Sequence, residues 1–255
     1  MSNATKLLYM DIETEPLLSW TWGTWQQDVI RVEKEWGILC FAYSWDGGPV
    51  KVVARPDFPD HYAKDPDSDL KVCEVLWGLL DEAQIACGHN IDQFDLPKSR
   101  ARFAANGLAP HSPVQTIDTL KIAKRMFKFT SNRLGEIGPL LGLGEKKDTG
   151  GFQLWIDVMR GDEKAWRKMK SYCAQDVRLL IAVLEALRPW METGLPSLSI
   201  LTGDLDACPK CGEKPLTKQG FKYTKVSKFQ QWRCVTNGCW SRSRVAERDE
   251  KPQLV

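Results

Sequence analysis

Four of the eight cysteines are gathered near the C-terminus, and their spacing divides the chain in two. Cys208-Pro-Lys-Cys211 and Cys234-Val-Thr-Asn-Gly-Cys239 are two tight pairs separated by 22 residues. Gly212 and Gly238 suit the close turns that such pairs need. Two knuckle-like turns around a hairpin read as a four-thiolate site for one Zn²⁺. Disulfides are the alternative, but nothing at the N-terminus reads as a secretion signal, and a reducing cytoplasm favours metal. A segment of about 40 residues buries little core of its own, so metal binding would supply much of its folding energy. Charge divides at the same place. From Asp204 onward there are 11 Lys and Arg against 6 Asp and Glu, and before it 24 against 27. Cys40, Cys73, Cys87 and Cys173 stand in apolar or helical contexts and read as ordinary buried thiols.

The first 200 residues read as an α/β domain. Lys6 to Glu13 is an apolar strand ending in carboxylates. Gly37–Ser44 and Val50–Ala54 read as two more strands joined by the Asp46-Gly-Gly-Pro49 turn. Asp69–Asp81 has helical spacing, Gln84–Gly88 reads as a strand and Asp95–Asn106 as a helix stopped by Gly107. Val114–Asp118 is a strand and Thr119–Phe127 a helix. A helix is expected over Ser131–Leu141, capped by Ser131, and one or two helices over Asp162–Leu187. Strands first, then strands alternating with helices, point to a mixed sheet flanked by helices. No run approaches about 18 apolar residues, so no ordinary membrane-spanning helix is expected, and the chain reads as cytoplasmic.

Chemistry is concentrated in three short segments. Asp11 and Glu13 are two apart on a strand, so both side chains share a face. Two adjacent carboxylates repel unless a cation joins them. Asp95 follows a strand and opens a helix, where the dipole favours a carboxylate. Tyr172 and Asp176 are four apart on a helix and share a face. Each alone has a bland reading: a solvated strand end, a helix cap, a surface pair. Together they supply four acids and a phenol.

The three segments resemble the motifs of the DEDD 3′→5′ exonucleases. Asp11-Ile-Glu13 looks like the first motif. Asn90-x-x-x-Phe94-Asp95 looks like the second, in the form seen in the proofreading domains of family B DNA polymerases. Tyr172-x-x-x-Asp176 looks like the third motif of the tyrosine-bearing branch. The resemblance covers about residues 5–190, with the motifs in family order. It implies a ribonuclease H-like fold: a mixed five-stranded sheet with the first strand central. It implies two Mg²⁺ or Mn²⁺ ions, with Asp11 bridging them, Glu13 and Asp176 on one, and Asp95 helping to hold the other. Tyr172 would orient the attacking water. Asp92 is the alternative second-motif acid, and Asp95 is preferred because it opens the helix and matches the pattern. Asp118 is expected to be structural. Thr14, Asn90 and Phe94 are the candidate contacts to the terminal nucleotide. Trp20, Trp22 and Trp25 stand in an apparent loop, where they either stack on bases or plug the core edge. Glu15, just past the site, reads as solvated.

The tail resembles a zinc ribbon, with the second cysteine pair spaced wider than is commonest. Lysines interleaved with Phe221, Tyr223, Phe229 and Trp232 suit nucleic acid, and a protein-docking ribbon is the alternative. The expected organisation is a nuclease domain over 1–196, a linker over 197–206, the ribbon over 207–246 and a disordered tail over 247–255. The implied activity is removal of nucleotides from the 3′ end of DNA, with single strands as the expected substrate. An exoribonuclease with the same site, or a binding or polymerase-recruiting module with a weak site, are the alternatives. No polymerase domain fits in 255 residues, so any polymerase or replication protein would be a separate partner.

Overall fold

The computed structural model describes residues 5–25, 28–145, 150–191 and 197–243. In chain order, β1 (Leu7–Thr14) leads into β2 (Leu18–Trp20) and β3 (Arg31–Lys34), then β4 (Ile38–Trp45) and β5 (Lys51–Ala54). Next come α1 (Pro59–Lys64), α2 (Leu70–Glu82), β6 (Ile85–Gly88), α3 (Asp95–Ala105) and β7 (Gln115–Asp118). Helices α4 (Thr119–Met126), α5 (Leu134–Leu140), α6 (Gln153–Met159), α7 (Glu163–Leu187) and α8 (Leu198–Leu201) follow. The chain closes with β8 (Leu216–Tyr223), β9 (Lys228–Cys234) and β10 (Trp240–Arg242). It divides into two compact units, residues 6–121 with 129–183, and residues 122–128 with the described part of 184–255. The expected tail over 247–255 lies outside the described residues. None of the described helices is long and apolar enough to cross a membrane.

The first unit is built on a five-stranded sheet ordered β5-β4-β1-β6-β7. β1 is central, antiparallel to β4 and parallel to β6. Its apolar run is covered on both sides, as a central strand requires. Leu8, Met10 and Ile12 point one way, into a core with Val72, Leu76 and Leu80 of α2 and with Leu96 and Phe103 of α3. Each such side chain contributes about 1.5–3 kcal/mol on burial. By the strand's period of two, Tyr9, Asp11 and Glu13 point the other way, to the side of α7. There the Cys173 thiol donates to the Asp11 backbone carbonyl at 3.6 Å. The expected α/β fold, with an antiparallel hairpin at one edge of a mixed sheet, is therefore the one formed.

Some elements differ from expectation. The helix expected from Ser131 starts three residues later, because the Ser131 hydroxyl accepts the Arg133 N–H in a local turn. Of the one or two helices expected over 162–187, a single 25-residue helix, α7, is formed. The Asp162 carboxylate accepts the Ala165 N–H at its start. The presumed tryptophan loop contains the β2–β3 hairpin, where the Trp20 indole donates to Glu33 at 2.9 Å. Trp20, Trp22 and Trp25 are 64%, 89% and 83% exposed, so none of them plugs the core.

Beneath the end of β1 lies a network of charges. Glu15 is 2% exposed, not solvated, and accepts from Arg55 at 2.6 Å and from Lys34 at 2.9 Å. Asp69 is wholly buried and takes two bonds from Arg102, at 2.7 and 2.8 Å, one from Asn106 and one from the Ile38 N–H. Gly37 sits against this network. A methyl group there would collide with the Arg55 guanidinium and come within 3.0 Å of Glu15 and 3.2 Å of Asp69. Burial pushes the Asp69 carboxyl up, but the bonds from Arg102, Asn106 and Ile38 outweigh it and hold the group below the usual range. Its stabilising contribution is therefore complete at neutral pH and is lost only as pH falls through that depressed value. Asp69→Ala strands Arg102 and is expected to cost about 3 kcal/mol, the low end for a broken buried pair because Arg102 still reaches water. Urea unfolding at pH 7 measures this, and an unshifted midpoint would refute it.

Candidate active site and cysteine centre

Asp11, Glu13 and Asp176 converge. One carboxylate oxygen from each lies within 4.8 Å of the other two. Two come from one face of β1 and the third from α7, which packs along that face. Asp176 is buried, whereas Asp11 and Glu13 are half-buried. The register of β1 against β4 shifts between Glu13 and Thr14, a bulge that ends the regular strand just beyond the acids. Three carboxylates this close repel at neutral pH, and a divalent cation removes the penalty. Hard oxygen donors suit Mg²⁺ or Mn²⁺, so the donor set fits the ions expected there.

Tyr172 lies one helical turn before Asp176 and is 7% exposed. Burial pushes its phenol well above the usual range, and the charges of Asp176, Glu13 and Asp11 push it further. These surroundings favour the protonated phenol. The Trp155 ring meets it edge-on, with centroids 6.1 Å apart. Trp155 belongs to α6, a helix the sequence did not announce.

Asp95 stands apart from the three converging acids. It is 2% exposed, opens α3, and accepts the Ile12 N–H at 3.1 Å. Burial pushes its carboxyl up to about 7 despite that bond, and the charge of Asp118 adds to the rise. Asp95 is thus tied to the backbone between Asp11 and Glu13, and a cation nearby would favour its ionised form. Asp92 instead pairs with Lys121 at 2.6 Å, toward solvent. Asp118 accepts the N–H groups of Asn90 and Leu120 at 3.0 Å, so it organises the loop before α3. Asn90 holds a positive φ of 74°, a conformation Asn tolerates better than most residues. Its carbonyl accepts the Phe94 N–H at 2.9 Å. The structure thus gives Asn90 a turn-forming role. His89 is engaged by Thr119 at 2.8 Å and the Asn132 carbonyl at 2.9 Å, within the same loop framework.

A cleft of about 620 Å³ opens beside Thr14. Thr14, Pro16, Leu17, Trp36, Lys98, Phe152 and Trp155 line it. The Lys98 ammonium lies 3.7 Å from the Trp36 ring centroid and 5.3 Å from that of Phe94. Of the expected nucleotide contacts, Thr14 lines this cleft, and Phe94 is 36% exposed near Lys98. Trp36, Phe152 and Trp155 were not anticipated. They are distant in sequence from the converging acids, and only folding joins them to the site.

The second unit contains the cysteines. β9 is central in its three-stranded sheet, between β8 and β10. Sulfur atoms of Cys208, Cys211 and Cys239 lie within 4.8 Å of one another, and Cys234 is 3.7 Å from Cys211. All four are free thiols. Both turns repeat one pattern: Gly212 N–H donates to the Cys208 carbonyl and Gly238 N–H to the Cys234 carbonyl, each at 2.9 Å. The glycines have φ of 76° and 65°. In the first turn the second cysteine precedes the glycine, and in the second it follows, which accounts for the wider spacing. Four converging sulfurs are a donor set that could hold a metal ion.

No curated protein matches the chain. Residues 8–188 match the family RNase_H_2 of the RNase_H superfamily, well over half of the sequence. The match spans the five-stranded sheet and all three acidic segments. The chain belongs to the RNase H superfamily, whose domains act on nucleic acids and commonly hydrolyse phosphodiester bonds with divalent metals.

Proposed function

We propose that the protein is a metal-dependent 3′→5′ exonuclease acting on DNA, with single strands as the preferred substrate. The observation that carries this reading is the convergence of Asp11, Glu13 and Asp176, with Tyr172 one turn away on the same helix. Two divalent ions would activate the attacking water and stabilise the leaving oxygen. Asp11, Glu13 and Asp176 would hold these ions, and Asp95, bonded to the Ile12 N–H between Asp11 and Glu13, would help hold the second. The Tyr172 hydroxyl, kept protonated by its surroundings, would orient the nucleophile by hydrogen bonding. Thr14 and the cleft beside it would receive the terminal nucleotide, with aromatic walls on which a base can stack. Asn90 would support that pocket through its turn, and Phe94 would border it.

The four cysteines would hold one structural Zn²⁺. In this reading the nuclease domain spans 1–196, and residues 197–206 join it to a ribbon over 207–246. A separate polymerase or replication protein is the kind of partner such a chain would serve.

The test uses DNA and RNA single strands of one sequence, labelled in turn at each end. With Mg²⁺ or Mn²⁺, 5′-labelled DNA is expected to shorten as a ladder, while 3′-labelled DNA releases its label in the first product. A ladder on RNA but not DNA would transfer the reading to an exoribonuclease. Internal cuts, or no product with either metal, would overturn it.

A further inference from the structure

The small sheet β8–β10 has two faces, and its strand pairing assigns residues to them. Arg233 pairs with Trp240, Gln231 with Arg242, and Lys222 with Phe229. Paired and alternate residues in an antiparallel sheet share a face. One face therefore carries Lys222, Phe229, Arg233, Trp240 and Arg242. The opposite face carries Lys218, Phe221, Tyr223, Lys228 and Trp232.

Cations sit over rings on both faces. The Arg242 guanidinium is 4.1 Å from the Phe229 centroid, and that of Arg233 is 5.6 Å from Trp240. Across the sheet, Lys228 is 4.0 Å from Phe221 and Lys218 is 5.5 Å from Trp232. From Lys214 to Ser243 the chain has seven Lys and Arg and no Asp or Glu. Such a surface repels itself, and the ring contacts offset only part of that cost, at about 0.5–1 kcal/mol each. It is complementary to a dense line of negative charge.

We propose that the face bearing Lys222, Arg233 and Arg242 around Phe229 and Trp240 binds single-stranded nucleic acid. Lys222, Arg233, Trp240 and Arg242 are all exposed. A guanidinium stacked on a ring still presents N–H donors at its edge, and these match phosphate oxygens bidentately. An exposed ring between such cations offers a platform for a base, worth about 1–3 kcal/mol per base. The opposite face also has an exposed ring, Tyr223, but it differs at Trp232 and in its cations. Trp232 is half-buried there, with its indole N–H donated to Ser243 at 3.1 Å. Its cations are lysines, which meet phosphate as point charges rather than as planar forks.

The test uses the full chain carrying Asp11→Ala, so that strands survive, with zinc retained. Anisotropy of labelled dT15 and rU15 is followed across a salt series for two variants of equal charge. Arg233→Ala with Arg242→Ala is expected to weaken binding about tenfold or more and to reduce the salt slope by about 1.4, at about 0.7 for each phosphate no longer neutralised. Lys218→Ala with Lys228→Ala is expected to leave the slope near the parent's. Lys222→Gln, at another exposed cation of the same face, repeats the test with an expected drop of about 0.7. Equal losses from both faces would overturn the proposal, as would no loss from either. So would competition by poly-glutamate as effective as by unlabelled dT15, which would reveal an acidic protein site. Binding is read without cleavage, so a failed exonuclease assay leaves this result standing, and unchanged binding leaves the nuclease reading standing.

Discussion

Asp176→Ala is expected to lower exonuclease turnover by on the order of 10³-fold, while the unfolding midpoint changes little. Metal-assisted charge stabilisation supplies several kcal/mol to phosphodiester cleavage, and each 1.36 kcal/mol is a factor of ten. In the proposed mechanism, removing one of the three converging carboxylates would withdraw a ligand from that machinery. The same change relieves repulsion between a buried acid and two half-buried ones, so the metal-free fold should not suffer. Tyr172→Phe should cost less, about 10²-fold, because it removes one orienting hydrogen bond and retains the ring against Trp155. Single-turnover rates with saturating Mn²⁺ measure both. Full activity in Asp176→Ala would remove the basis for the assignment. Equal losses in both variants would indicate that Tyr172 does more than orient water.

The acids that converge were legible because their periods are local. A spacing of two on a strand and four on a helix fixes which side chains share a face before any tertiary structure exists. The same holds for β1, β4 and α2, whose apolar patterns state their own burial. What was hidden depends on partners far along the chain. Glu15 looks solvated until Arg55, forty residues away, is seen to cover it. The β2 and β3 strands are three and four residues long and mostly exposed, so no alternation marks them. α6 begins after two glycines and Phe152, with no polar cap to announce it. The aromatic walls of the cleft were missed for the same reason. Trp36 and Trp155 belong to distant parts of the sequence, and only the fold brings them to one cleft.

The second large effect concerns the cysteines. Cys234→Ser is expected to abolish the tight metal content of the protein and to melt β8–β10 as a unit. The buried cluster of this small sheet consists of Cys208, Cys234 and Cys239, flanked by Cys211 and Leu216. With so little apolar surface inside, burial cannot offset chain entropy. Binding of a structural zinc ion supplies about 10–16 kcal/mol at neutral pH and can carry the fold where the core cannot. Metal analysis of the purified protein should give one zinc per wild-type chain and none in the variant. Proteolysis should then cut the variant between β8 and β10 but spare the five-stranded domain. A chain that purifies without metal, yet resists protease there after chelation, would show that the sulfurs pack as ordinary side chains.

Gly37 touches no acid of the active site, yet the space for its missing side chain is taken by Arg55, Glu15 and Asp69. Its carbonyl also accepts the Glu15 N–H at 3.0 Å, immediately beyond the bulge that ends β1. In a survey of inactivating substitutions, this position would be as intolerant as the carboxylates themselves. A map of function drawn from such a survey would include a residue whose contribution is the room it leaves.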